Sequence, residues 1–378
     1  MKLKKALLVC LLPAFVIGGC GKTTTDETEN TTKQESAVEE TVQDEQETGD
    51  TETESEASGE DADKETEASK DLFAMDTYMT LTAYGEHAQE AVDKAAERVE
   101  ALDALLSTGN ENSEIYQLNQ NGEATLSEEG GYLVERALEL YKKTEGAFDI
   151  AIYPVMQAWG FPTQDYHVPD DDTLKEKLAL ADASKVNYDK DTRKISFDQD
   201  GMEIDLGGIA KGYTSSQIMQ IYRDCGVTSG LVNLGGNVQA LGCKTDGSKW
   251  RVAIQSPDDT EEYLGILEIE DQAVITSGGY ERYFEEDGVT YHHIIDPATG
   301  YPADSGLISV TIVSDDGTLA DGLSTSLFIM GEEKAAQFWR ENSDEFEAIM
   351  ETSDGKLYVT EGIADSLTTD MDVTVIEK

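Results

Sequence analysis

Positive charge is scarce in this chain: 28 lysines and arginines stand against 78 aspartates and glutamates, a formal net charge of −50. So acidic a protein repels nucleic acid and anionic lipid surfaces, and no nucleic-acid partner is expected. An anionic small ligand would need a local cation, which gives any lysine near a candidate site unusual weight. Histidine and cysteine are also few, four of each, and no Cys, His and Glu cluster competes for zinc. Cys10 and Cys20 fall in the amino-terminal stretch. Cys225 and Cys243 remain, either as a disulfide formed outside the cytoplasm or as two separate small hydrophobes. Aromatic residues are absent from 21 to 70, where eighteen acidic residues accompany four lysines. Such a segment cannot bury enough apolar surface to offset its ordering entropy, so a disordered, self-repelling tether is expected there. Long apolar runs are missing too: Ala6 to Ile17, interrupted by Pro13, is shorter than the roughly 20 residues a membrane-spanning helix needs.

That short run follows a basic start, Met1-Lys2-Leu3-Lys4-Lys5, and leads into Ile17-Gly18-Gly19-Cys20. The arrangement resembles a bacterial lipobox, in which the cysteine is lipidated and becomes the new amino terminus. The expected organisation is a lipoprotein signal peptide over 1–19, then lipidated Cys20 and an acidic linker over 20–71. One folded domain over 72–364 and a tail over 365–378 complete it. The expected location is the cell membrane, lipid-anchored on its extracytoplasmic face.

Within the folded part, Met75 to Tyr84 alternates and reads as one strand. His87 to Leu106 and Glu128 to Lys143 read as amphipathic helices. Lys194 to Phe197 and Met202 to Leu206 read as a hairpin, and Trp250 to Ile254 with Leu264 to Ile269 as extensions of the sheet. Phe148, Tyr153 and Trp159 lie in an aromatic, proline-bearing loop that is either a platform for a flat ring or a plug in the core.

The stretch around which the rest is arranged is Asp205-Leu206-Gly207-Gly208-Ile209-Ala210-Lys211-Gly212. Its helix is legible from Ile218, Ile221, Tyr222 and Cys225 at i, i+3, i+4, i+7, with Gly226 ending it. Adjacent glycines ahead of a helix either make a structural turn or let unpaired amides approach a phosphate, and Lys211 adds positive charge beside them. A second close turn, Gly235-Gly236, joins two strands. Later, His292-His293-Ile294-Ile295-Asp296-Pro297 places two of the four histidines together, of which at most one can face a site if they lie on a strand. In Ala320-Asp321-Gly322-Leu323-Ser324-Thr325, Asp321 and Thr325 sit at i and i+4 on one helical face. They form either an internal hydrogen bond or a hard, oxygen-only half-site suited to Mg²⁺.

Taken in order, these motifs, together with Met75-Asp76-Thr77, Gly146-Ala147-Phe148-Asp149, Asn233-Leu234-Gly235-Gly236-Asn237, Thr276-Ser277-Gly278 and His293 to Gly300, resemble those of the FAD:protein FMN transferase family, the ApbE type. The likeness covers nearly all of 72–350. It implies an α+β, ApbE-like (T-fold-related) domain of mixed and antiparallel sheets packed by helices, with bound FAD and Mg²⁺. By position, it implies that Met75, Ala147, Phe148, Asp149, Asp205, Lys211 and His293 line FAD. Gly208, Asp321 and Thr325 would then hold Mg²⁺, with His293, Asp321 and Lys211 in catalytic roles. The implied reaction moves FMN from FAD onto a Thr or Ser hydroxyl of an exported protein of a membrane electron-transfer system, releasing AMP. Hydrolysis of FAD to FMN and AMP at the same site, or lipid-anchored FAD binding without turnover, are the competing readings.

Overall fold

The computed structural model describes residues 66–257 and 262–378. The expected signal peptide, Cys20 and nearly all of the expected tether lie outside these residues. Strands β1 (Glu67–Ala74) and β2 (Thr77–Tyr84) form a hairpin covered on one face by α1 (Ala88–Leu106). Helix α2 (Glu114–Asn121), strand β3 (Glu123–Thr125) and helix α3 (Glu128–Lys143) follow. Two short helices, α4 (Tyr153–Ala158) and α5 (Asp171–Leu178), precede strands β4 (Val186–Asp189) and β5 (Lys194–Phe197).

Helix α6 (Gly207–Asp224) leads into β6 (Ser229–Leu234) and β7 (Asn237–Leu241). Strands β8 (Trp250–Gln255), β9 (Tyr263–Ile269), β10 (Ala273–Gly278), β11 (Tyr283–Glu286), β12 (Val289–His292) and β13 (Leu307–Ser314) come next. The chain closes with helices α7 (Gly317–Met330) and α8 (Glu332–Glu341), then β14 (Glu347–Thr352), β15 (Leu357–Thr360), β16 (Leu367–Thr368) and β17 (Val373–Ile376).

Nine strands make the principal sheet, in the order β1-β2-β6-β7-β10-β13-β14-β15-β17. All its neighbours run antiparallel except β15 and β17, which are parallel. One large apolar cluster joins α3, α6, α7 and α8 to this sheet, and a second packs α1 and α6 on β1, β2 and β6. The α+β architecture is the expected one.

Several local expectations need correction. Met75 and Asp76 are not strand residues but the turn of the β1–β2 hairpin, with φ of 49° and 59°. A two-residue hairpin of the type I′ kind requires positive φ at both central positions, a signal that Met-Asp does not advertise. Because β1 pairs with β2 from Glu67 onward, the domain begins before residue 72. At the other end, β16 pairs with β9 and β17 with β15, so 365–378 belongs to the fold rather than forming a tail. Strand β5 pairs with β3 and β4 instead of with Met202 to Leu206. That stretch is held without a ladder, by Asn119, whose amide and carbonyl bond both polar groups of Ile204, and by the Asp205 N–H to the Ile150 carbonyl. Strands β8 and β9 build a separate three-stranded sheet with β16, because β7 pairs directly with β10. Phe148, Tyr153 and Trp159 are buried, and the Trp159 indole N–H donates to the Gly300 carbonyl at 2.8 Å. Tyr153 and Trp159 thus plug the core and present no stacking face. Cys225 and Cys243 are free thiols.

Candidate functional site

Two helices meet where their side chains are smallest. A methyl added to Gly212 on α6 would stand 2.1 Å from the Gly317 carbonyl oxygen and 2.6 Å from Cβ of Asp321 on α7. Only glycine permits this approach, and the approach lets the Gly212 N–H donate to Asp321 Oδ2 at 2.8 Å. The other carboxylate oxygen accepts from Asn237 Nδ2 at 2.9 Å. Asn237 opens β7 immediately after the Gly235-Gly236 turn, whose φ values of 64° and 96° fit it to glycine. Asp321 is thereby aimed by one backbone amide and one side-chain amide from two different elements.

The carboxylate is buried, yet among the described residues no lysine or arginine lies within salt-bridge distance of it. A buried anion satisfied only by neutral donors is poised for a cation. One turn on, the Thr325 hydroxyl lies 3.3 Å from Ser277 Oγ at the end of β10, and Ser277 is also 2.8 Å from Ser324 Oγ. Among the described residues no group of three His, Cys, Asp or Glu side chains could hold a metal. A donor set of one carboxylate, one hydroxyl and backbone oxygen suits Mg²⁺, which keeps few protein ligands and retains water or substrate phosphate.

Gly208 on α6 and Gly322 on α7 both face the Phe148 ring; a methyl on either would meet ring carbon Cε2 at 3.1 Å and 3.6 Å. Phe148 is therefore a spacer between the glycine-rich helix start and the Asp321 turn. Ala147 follows the Gly146 turn directly ahead of it. Asp149 is turned inward: its carboxylate accepts from the Ala151 and Ala183 amides, and burial lifts its pKa to about 6.

At the start of α6, Asp205 Oδ1 accepts from the Gly207 N–H at 2.7 Å, so the chain's own carboxylate occupies one helix-terminal amide. Burial raises the Asp205 pKa, against the opposing pull of Arg282 and Lys211. Lys211 lies one turn into the helix, with no carboxylate within salt-bridge distance among the described residues. Its charge is nonetheless felt by Asp205, Glu281 and His293. His293 follows the end of β12, with Nδ1 3.1 Å from the Arg282 carbonyl. A carbonyl only accepts, so Nδ1 carries the hydrogen and Nε2 keeps its lone pair. Burial and Lys211 press the His293 pKa down to about 3, leaving a neutral imidazole. His292 turns elsewhere, with Nε2 against the Ala303 carbonyl and its ring edge-on to Phe328.

Met75 reaches the site from the hairpin turn. Its N–H donates to Asp103 on α1, and its sulfur receives the Thr214 hydroxyl of α6 at 3.8 Å. Asn237 and Ser277 lie inside motifs whose sequence gives neither a role, and Glu281 lies outside those motifs. That residue follows the Ser277-Gly278-Gly279-Tyr280 turn; the residue as a whole is exposed, while desolvation at its carboxyl end raises its pKa to about 7, opposed by Lys211 and assisted by Asp321. Its motif neighbours were the available signal.

The ApbE family model matches residues 75–350. Among similar sequences, the FAD:protein FMN transferase of Treponema pallidum is 35% identical over 296 residues, covering 73% of this chain and 82% of that protein. That of Klebsiella pneumoniae is 34% identical over 262 residues, covering 68% and 81%. Among solved structures, the ApbE protein of Thermotoga maritima superposes with a TM-score of 0.74 at 29% identity, covering 79% of this chain and 98% of that one. The flavin transferase ApbE of Vibrio cholerae gives 0.71 at 29%, with the same coverage. Fold and relatives define a transferase. The chain belongs to the ApbE family.

Proposed function

We propose that this chain is an FAD:protein FMN transferase that uses Mg²⁺ and places FMN on a Thr or Ser hydroxyl of an exported protein of a membrane electron-transfer system. The observation that carries the reading is the Gly212–Asp321 contact, which sets an uncompensated buried carboxylate beside a glycine-rich helix start bearing a cation. The names of the relatives support the flavin as substrate.

In the proposed reaction, the acceptor hydroxyl oxygen forms a bond to the FMN-side phosphorus of FAD. The bond from that phosphorus to the bridging oxygen breaks, and AMP leaves with its electron pair. The hydroxyl proton passes to Nε2 of His293, the lone pair left by the Nδ1 contact with Arg282. Burial and, after it, the charge of Lys211 hold the imidazole neutral in the free protein, and the negative pyrophosphate would offset the Lys211 field once FAD is present. Lys211 and the α6 amides orient the phosphates, while Met75, Ala147, Phe148 and Asp205 shape the flavin side and Asp149, turned inward, braces that loop through the Ala151 and Ala183 amides. Asp321, Thr325 and the Gly208 carbonyl would hold Mg²⁺. The ion supplies charge neutralisation for phosphoryl transfer when bound. Lipidation at Cys20 would keep the enzyme on the extracytoplasmic face, where an exported acceptor resides.

The test is incubation with FAD, Mg²⁺ and an unflavinylated exported protein, followed by intact-mass measurement. Covalent FMN on the acceptor with an equivalent of AMP is expected. Free FMN and AMP alone would mean hydrolysis, and unchanged FAD would mean binding without turnover.

A further inference from the structure

The two most exposed large hydrophobic side chains among the described residues are Tyr78, at 68%, and Phe73, at 61%. They are neighbours. Phe73 pairs with Tyr78 across the β1–β2 hairpin, and their rings meet edge to face with centroids 5.0 Å apart. An aromatic pair on the outer face of the sheet's terminal hairpin exposes apolar surface that folding of this domain does not require.

Its position matters more than its composition. The pair stands one residue back from the Met75-Asp76 turn, on the order of 4 to 7 Å along the strand. That turn is pinned on both sides to the candidate site. Met75 touches Thr214 on α6, and Thr77 packs under Gly235, where a methyl would come within 2.1 Å of its hydroxyl. The aromatic surface is therefore rigidly joined to the edge of the cleft.

We propose that the Phe73–Tyr78 pair is the docking surface for the flavin-accepting protein, receiving an apolar side chain of the segment that carries the accepting hydroxyl. This rests on the transferase reading, which requires a macromolecule to bring its hydroxyl to the cleft. A second copy of this chain fits less well. Two aromatic side chains bury roughly 150–250 Å² each, far short of the ~1,600 Å² of a stable interface. Two chains of net charge −50 also repel. A small, aromatic, cleft-side contact suits a substrate protein that must leave after each turnover.

The probe is the apo form of a membrane protein from the same cells in which mass spectrometry finds FMN on threonine or serine. The double variant Phe73→Ser, Tyr78→Ser is expected to raise KM for this acceptor at least tenfold, leaving kcat at saturation and FAD affinity unchanged. Tyr78→Phe, which keeps the ring, should retain the wild-type KM. An unchanged KM in the double variant overturns the proposal, as does a loss of binding to anionic phospholipid vesicles without any change in KM. Both side chains are exposed, so an unaltered melting temperature serves as the folding control. If the wild type itself transfers no FMN to the probe, the transferase reading fails and the docking surface loses its basis.

Discussion

The Gly212 backbone N–H donates to Oδ2 of Asp321 across 2.8 Å, tying the glycine-rich start of α6 to the carboxylate on α7. Residues far apart in the chain become one site through a contact that tolerates no side chain. Gly212→Ala would push a methyl into the Gly317 carbonyl, which is backbone and cannot swing away. The helices must separate, at a cost of about 1–3 kcal/mol. Chemical denaturation should show that loss, together with weakened divalent-cation binding; a variant as stable as wild type would mean the helices have slack.

A cation held at Asp321, as proposed, would make stability depend on it. Mg²⁺ should raise the melting temperature, since a ligand at a hundredfold excess over its Kd adds about 2.7 kcal/mol. EDTA should reverse the shift. Asp321→Asn turns an amide donor toward a donor already present and lowers baseline stability by about 1–3 kcal/mol. The informative quantity is the Mg²⁺-induced increment, which should vanish in the variant; its survival would place the ion elsewhere.

Asn237 aims the same carboxylate from β7 at 2.9 Å. Residues that orient a metal ligand typically matter by 10–100-fold in affinity. Asn237→Ala should weaken Mn²⁺ binding, followed by electron paramagnetic resonance, by a factor in that range, with a smaller effect on FAD affinity. Equal losses in both would point to general disruption.

These sites show what the sequence makes legible and what it conceals. Residues 128–143 read as a helix because Leu133, Ala137 and Leu140 recur at helical spacing and Gly146 stops the pattern, and the helix spans Glu128–Lys143. Met75 and Asp76 carry no turn signature, and alternation through Tyr84 hides the bend between β1 and β2. Trp159 illustrates a different limit. Local sequence does not distinguish a platform from a plug, because its burial is decided by Phe284, Tyr291 and Tyr301, more than a hundred residues away. Residues 373–376 look like tail because only Ile376 faces inward. Asp321 and Thr325 are readable as a pair, whereas Asn237, Ser277 and Glu281 gain meaning only when the hairpins bring them round.

His293 gives a pH prediction with a definite sign. Its native pKa is about 3, against about 6.5 for an unperturbed histidine. Between those values the unfolded chain holds a proton that the native state lacks, so stability falls as pH drops below about 6.5. The slope from one such group is at most about 1.4 kcal/mol per pH unit. Asp149, near 6, and Glu281, near 7, act oppositely because the native state holds their protons more tightly. The His293 contribution is therefore read as a difference: His293→Gln should show a shallower acid decline than wild type. Parallel curves would contradict a buried neutral imidazole.

Cys20→Ser tests the proposed lipid anchor. The unsubstituted chain should fractionate with membranes and the variant should appear in the fluid fraction; no redistribution would argue against lipidation at this position. Among the described residues no helix is long and apolar enough to cross a membrane.

The final strand has a practical consequence. β17 runs beside β15, Ile376 is buried, and the Arg340 guanidinium holds the Glu377 carbonyl at 2.8 Å. An affinity handle fused flush to Lys378 would therefore tug on a side chain seated two positions earlier, and a spacer is needed. Trimming residues 373–378 would strip β15 of its outer neighbour and leave a bare sheet border, a template on which other polypeptides stick and clump during purification.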